Sequence, residues 1–189
     1  MADATTDVVN QALQMMGDNA PTVTGVAPTF DTSTAGKAAA QLYAPCVAFV
    51  ARQFEWDFAR KNITLTLTAN TPPLGWTYEY QYPTNGIEVW QLLPATLTDP
   101  YNPLPSNWAI GNAVVSTTLM RVIWTNVVNA RAIYNNNPAP GAWDAGFREA
   151  VVRLLASEFA IALGGRPETS AVLLQSATGA SSMAQSRDG

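Results

Sequence analysis

Trp56-Asp57-Phe58-Ala59-Arg60-Lys61-Asn62-Ile63-Thr64-Leu65-Thr66-Leu67 is the stretch on which the fold turns. Upstream of it, Ala35, Ala38, Ala39, Leu42, Cys46, Phe49, Val50 and Phe54 recur at helical spacing. From Ile63 the period drops to two. Ile63, Leu65 and Leu67 alternate with Thr64, Thr66 and Thr68, the pattern of a strand with one buried face. A long helix therefore ends at an aromatic junction, and a sheet begins within a few residues of it.

Working outward toward the N-terminus, Asp31 is placed to cap that helix, since a short acidic side chain accepts from the free amides of a first turn. The helical pattern runs from there to about Phe54, roughly 35 Å at 1.5 Å per residue. Pro45 lies inside it and removes one amide donor, which predicts a kink. Residues 5–16 form a shorter amphipathic pattern with Val8, Val9, Ala12, Leu13 and Met16 near one face, closed by Gly17.

Toward the C-terminus, Pro72-Pro73-Leu74-Gly75 makes a turn into Trp76-Thr77-Tyr78-Glu79-Tyr80-Gln81-Tyr82-Pro83. On a strand, Trp76, Tyr78, Tyr80 and Tyr82 share one face and Thr77, Glu79 and Gln81 the other. Further strands are expected over 87–93, 108–116 and 119–125, with residues 126–134 ambiguous between strand and loop. After the break at Asn135-Asn136-Asn137-Pro138, Trp143, Phe147, Val151, Leu154, Leu155, Phe159 and Ala162 form a helical stripe. Pro167-Glu168 opens a last helix, expected to fade into a flexible Ser/Gly-rich tail from about residue 176. The fold expected is α+β: a helical bundle of the N- and C-terminal helices, residues 1–60 and 138–189, with a small antiparallel β-sheet lobe inserted at 61–137.

Composition narrows the chemistry. Of 189 residues, 48% are apolar and only 13% charged, against a usual charged share of about a quarter. So little charge points to surface covered by other subunits, with an exterior rich in Ser, Thr, Asn and Gln as the alternative. The net charge of −4 and the scattered ten basic residues offer no stripe for gripping phosphates. The chain has no histidine and one cysteine, Cys46, which removes Ser-His-Asp and Cys-His nucleophiles and Cys/His zinc sites. Cys46 reads as a small buried hydrophobe in a row with Leu42, Phe49 and Val50. The polar, acidic start is unlike a secretory signal, and no apolar run approaches the length of a membrane span. The expectation is a cytoplasmic protein, with no enzyme activity, no cofactor and no metal.

Two constellations invite sharper readings. The aromatic row can serve as a carbohydrate platform or a base-stacking surface. The preferred account is a strand face packed on its own lobe, because no basic residues interleave the row and it stops at Pro83. Glu55 and Asp57 flank Trp56 and raise the possibility of paired catalytic carboxylates. Arg52, Arg60 and Lys61 stand close enough in sequence to neutralise them as ordinary ion pairs, and no second motif converges on them. Asp144, Glu149 and Glu158 read as the solvated side of the third helix.

Taken in order, five segments resemble the head-to-tail adaptors of short-tailed phages, the tail tubular protein A-like neck proteins. They are Val8-Val9-Asn10-Gln11-Ala12-Leu13 with Gly17, the helix from Asp31 to Phe54 with Tyr43 inside it, Trp56-Asp57-Phe58-Ala59, Gly75 to Pro83, and Ile87-Glu88-Val89. The chain departs from the family pattern at Tyr82-Pro83-Thr84-Asn85, where the family often has Leu-Pro and then Asp, and after about residue 176. What the resemblance implies is a structural virion protein assembled in the host cytoplasm: a dodecameric ring beneath the portal protein. Such a ring continues the DNA channel, lets double-stranded DNA pass without specific binding, and receives the tail or nozzle protein. Another neck or tail subunit, such as a tail-completion or baseplate part, is the alternative, followed by a carbohydrate-binding module. On this reading Trp56, Phe58, Trp76, Tyr78 and Tyr80 are the structural junction. Leu173, Leu174 and Met183 are the candidates for contact with the portal or a neighbouring subunit.

Overall fold

The computed structural model describes residues 4–17, 21–96, 106–137, 139–164 and 167–188. The chain forms two compact units, one of residues 1–58 with 138–189, the other of residues 59–137. Helices make the first and antiparallel sheets the second, so the protein is mixed α and β with small antiparallel sheets.

In the helical unit, α1 spans Ala4–Gln14 and buries Val8, Val9, Ala12 and Leu13 completely. Its Asn10 carboxamide pairs with the backbone of Val23 in both directions, accepting from the amide at 2.8 Å and donating to the carbonyl at 3.0 Å. Short strands β1 (Gly25–Val26) and β2 (Thr29–Phe30) follow and pair antiparallel. Helix α2 runs Thr34–Ala51. Its N-cap is Ser33, whose hydroxyl accepts from the Gly36 amide at 3.0 Å, and not Asp31 as expected. Asp31 stands two residues further out and braces the cap instead, accepting from the Ser33 amide at 3.0 Å and the Thr24 amide at 2.6 Å. The Ser33 hydroxyl also donates to Asp31, and together these bonds hold the Asp31 carboxyl at about 2, below its ordinary 3.8. In α2 the buried apolar side chains are Ala35, Ala39, Cys46, Val47, Val50 and Ala51, while Phe49 is exposed, which corrects its place in the expected row.

Helix α3 spans Ala145–Gly164 and packs against α1, α2 and α4 (Pro167–Asp188). It is buried on several faces: Phe147, Val151, Leu155 and Phe159 are at 1% exposure or less, whereas Ala162 at the end of the expected stripe is exposed. Helix α4 does not fade at residue 176 but continues to Asp188. Docking explains the length: Ala177 is buried and Arg153 of α3 donates to Ser176 at 3.1 Å. In proteins most helix stability comes from such tertiary contact rather than from propensity.

The second unit has two three-stranded sheets where one was expected. The first runs β3 (Arg60–Thr64), β8 (Arg131–Asn136), β5 (Gly86–Leu93); the second runs β4 (Tyr78–Gln81), β7 (Thr118–Thr125), β6 (Trp108–Val115). The ambiguous segment 126–134 thus contains a loop and most of the central strand β8. One segment serves both sheets. The chain leaves β3 at Thr64, and Thr66 and Thr68 then bond to the β4 backbone, with Gln81 N to Thr66 O at 2.8 Å and Thr68 N to Glu79 O at 2.9 Å. Strands that switch sheets make the corners of such packings. Turning that corner breaks the expected single buried face: Leu65 is buried, but Ile63 and Leu67 are 44% and 55% exposed. Leu65, Tyr80, Val89, Leu92, Ile123 and Tyr134 form the core of this unit.

Candidate functional site

The junction aromatics fall into different environments. Trp56 is fully buried in the helical unit, its indole N–H donating to the Val50 carbonyl at 3.2 Å. Its ring meets Phe147 edge-on at 5.1 Å and lies 5.6 Å from Phe54 and 6.0 Å from Phe58, near the favoured aromatic geometries. Phe58 is only half-buried, less than expected, although it too packs edge-on against Phe147 at 5.1 Å. Trp143 extends the group, 5.0 Å from Phe147 and stacked 6.5 Å from Tyr43. This assembly leaves no indole face open for a ligand at Trp56. Beside it, Glu55 is half-buried and Asp57 exposed in the 3-10 turn Asp57–Ala59.

In the β unit, Tyr80 is 2% exposed and Tyr78 and Tyr82 pack on the same core, so the row works as an inner face. A stacking platform needs open ring faces, and Tyr80 has none. Its hydroxyl donates to the Val127 carbonyl at 3.0 Å and accepts from the Ala130 amide at 3.4 Å, fastening the loop that leads into β8. Trp76 lies before β4, half-buried, its amide bonded to Pro73. Arg121 sits over the Tyr82 ring, 3.8 Å from its centroid, and burial raises the Tyr82 phenol above its ordinary 10.0.

The opposite face of β4 holds a group that alternation assigns to solvent. Glu79 is 3% exposed. One carboxylate oxygen accepts from the Thr68 hydroxyl at 2.9 Å and the Asn70 amide at 2.8 Å, and the other from the Trp124 indole at 2.8 Å. Asn70 also donates to the Val114 carbonyl at 3.0 Å. A buried carboxylate is tolerable when its lone pairs are met in this way. The Trp124 ring covers Gly111 so closely that any β-carbon there would overlap it. The Glu79 partners are neutral donors that reach both its oxygens, so the group fastens β4 to β7 and to the segment carrying Thr68 and Asn70.

At the C-terminus, Leu173 is half-buried and Leu174 is 45% exposed. The side chain of Met183 lies outside the described residues. Leu174 lines a groove of about 380 Å³ with Leu42, Pro45, Cys46 and Phe49 of α2 and Leu154 of α3. Glu158 borders it. Burial, with the Glu158 charge added, pushes the Cys46 thiol up to about 12, so it is an inert part of the lining. Sequence reasoning found Leu174 but missed Leu42, Pro45 and Phe49 as a second apolar stripe on α2. The available signal was that α2 is apolar on more than one face, which a helix with a single buried side does not need.

No protein-family model and no curated sequence matches the chain. Among the described residues no group of three or more Cys, Asp or Glu side chains is placed to hold a metal ion, and no helix is long and apolar enough to cross a membrane.

Proposed function

We propose that the protein is a structural subunit of a phage virion, a head-to-tail adaptor that assembles as a ring beneath the portal. In this reading the helical unit is the adaptor's bundle, made from both ends of the chain, and the β unit is the inserted lobe. The ring continues the DNA channel, binds the portal on one side and receives a tail or nozzle protein on the other. DNA passes along walls that carry too little positive charge to hold it. The protein performs no chemistry of its own.

The observation that carries the proposal is the spread of large apolar side chains left in solvent. Met15, Phe49, Ile161, Val172 and Leu174 in the helical unit, and Ile63, Leu67, Leu74, Val114, Leu119 and Val128 in the β unit, are all 40% exposed or more. With only 13% charged residues, the chain offers apolar surface on both units, as a subunit with lateral neighbours requires. Mass measurement in solution, with and without the portal protein of the same phage, tests the reading. A closed ring or a stoichiometric portal complex is expected. A chain that stays monomeric in the presence of that portal refutes it.

A further inference from the structure

We infer that Asn85 is a site of spontaneous deamidation, and that the turn it occupies is the brake on the reaction. The inference is independent of the ring reading, since it concerns covalent chemistry within a single chain.

Asn85-Gly86 is the only Asn-Gly pair in the chain, and it lies between β4 and β5. The turn itself demands both residues. Asn85 has a φ of 64°, a left-handed conformation that asparagine tolerates better than most side chains. The Gly86 amide donates to the Pro83 carbonyl at 2.9 Å and closes the turn Pro83-Thr84-Asn85-Gly86. Thr84 is not at positive φ, so the turn has the type II form, with only its third residue left-handed. A β-carbon on Gly86 would come within 3.0 Å of the Pro83 carbonyl oxygen and 3.1 Å of the Tyr82 ring, closer than ordinary contact. Local geometry therefore selects asparagine followed by glycine. That order is also the most reactive one, because glycine leaves its own nitrogen unshielded.

Thr84 and Asn85 are exposed, so water and base reach the carboxamide. In the reaction the Gly86 nitrogen gives up its proton and attacks Cγ of Asn85. A carbon–nitrogen bond forms, the side-chain nitrogen leaves as ammonia with the proton, and a succinimide remains. Water then opens the ring at either carbonyl, giving aspartate or isoaspartate. The net change is ammonia lost and water gained. Two features of the turn oppose the first step. The Gly86 proton is held by the Pro83 carbonyl. In a type II turn the third residue has ψ near about 0°, which turns the following nitrogen away from the side chain it must attack. Both ends of the turn are fastened: the Tyr82 amide donates to the Arg121 carbonyl at 3.1 Å, and Gly86 pairs with Asn136 of β8. The reaction therefore waits for local opening of the turn. Once formed, isoaspartate adds a backbone carbon inside the turn, and the Pro83–Gly86 bond no longer closes.

The test incubates the full-length protein in mildly alkaline buffer at physiological temperature, either folded or unfolded in guanidinium chloride. Peptide mass spectrometry follows conversion at each asparagine, and isoaspartyl methyltransferase labelling identifies isoaspartate. Asn129 is the internal comparison: it is also exposed and left-handed, with φ 50°, but Ala130 follows it. In the unfolded chain Asn85 should react ahead of every other asparagine, with isoaspartate among the products. Folding should slow it by about tenfold or more, the measure of how seldom the turn opens. Two variants then move the brake in opposite directions. Thr84→Gly loosens the turn and should speed conversion of the folded chain several-fold. Thr84→Pro places proline where type II turns favour it and should slow conversion further. Neither should change the unfolded rate appreciably, and melting temperatures establish that both variants fold. Equal rates in the folded and unfolded wild type overturn the brake, whatever the variants do. Another asparagine reacting first in the unfolded chain, or conversion at position 85 without isoaspartate, overturns the site.

Discussion

The two units solve the same problem with different chemistry. The helical unit is centred on rings: Trp56, Phe58 and Trp143 each meet Phe147 of α3 edge to face, and one hydrogen bond satisfies the buried Trp56 indole N–H. The β unit packs Tyr80 and its neighbours on one side of β4 but fastens the other side with an ionisable group, Glu79, held by Thr68, Asn70 and Trp124. The lesson lies in how each fails. An apolar core loses area and gains a cavity when it is cut, whereas a polar fastener leaves stranded donors.

Trp56→Ala should have the largest effect, about 3–5 kcal/mol lost, as for large aromatics in cores. Denaturant unfolding followed by far-ultraviolet circular dichroism measures it, and full stability of the variant would break the contrast from the helical side. Glu79→Ala comes next, at about 1–3 kcal/mol, because the buried Thr68 hydroxyl and the half-buried Trp124 indole lose their acceptor, while the exposed Asn70 keeps the Val114 carbonyl. Its partner experiment is Gly111→Ala, which displaces the Trp124 ring from its seat and should cost about 1–3 kcal/mol as an overpacking change. If the fastener is one unit, the double variant should lose less than the sum. Additive losses would show that the ring and the carboxylate act separately.

A smaller change sharpens the comparison within the β unit. The hairpin between β6 and β7 turns at Ser116 and Thr117, both at positive φ, 55° and 108°. Two-residue hairpins favour glycine or asparagine there, and a β-branched residue is strained. Thr117→Gly should raise stability by about 1 kcal/mol in the same unfolding measurement.

The smallest effect belongs to the helical unit and depends on pH. Asp31 is held at about 2 by Ser33 and Thr24, below its ordinary 3.8. A carboxyl with a depressed folded pKa adds stability above its unfolded pKa and loses it as the pH falls through the folded one. Asp31→Asn should therefore lower the melting temperature slightly at neutral pH. The gap to wild type should narrow below pH 3.8 and close near pH 2. A gap that stays constant with pH would show that the cap needs the side chain's shape alone.

How far these features were legible varies with the distance over which they are made. The burial of Val8, Val9, Ala12 and Leu13, and of Phe147, Val151, Leu155 and Phe159, follows from helical spacing, which is local. The inward face of the tyrosine row follows from alternation in the same way. Glu79 does not. Its partners lie 9, 11 and 45 residues away, and alternation alone places it in water. The groove was half legible: Leu174 stood out on a weakly polar helix, but Phe49 looked like core because nothing local distinguishes two apolar stripes on one helix.

By itself, then, the sequence determined the α–β–α order of elements, the presence of a strand soon after the Trp56 junction and the missing imidazole chemistry, because each depends on residues a few positions apart or on composition. Tertiary structure alone decided four other things. Ser33 rather than Asp31 caps α2, α4 extends to Asp188, the β unit divides into two sheets, and a carboxylate lies under Trp124. Each of these is settled by contacts between segments distant along the chain or by a choice between near-equal local options. Such choices turn on burial and hydrogen-bond geometry, which a linear pattern does not carry.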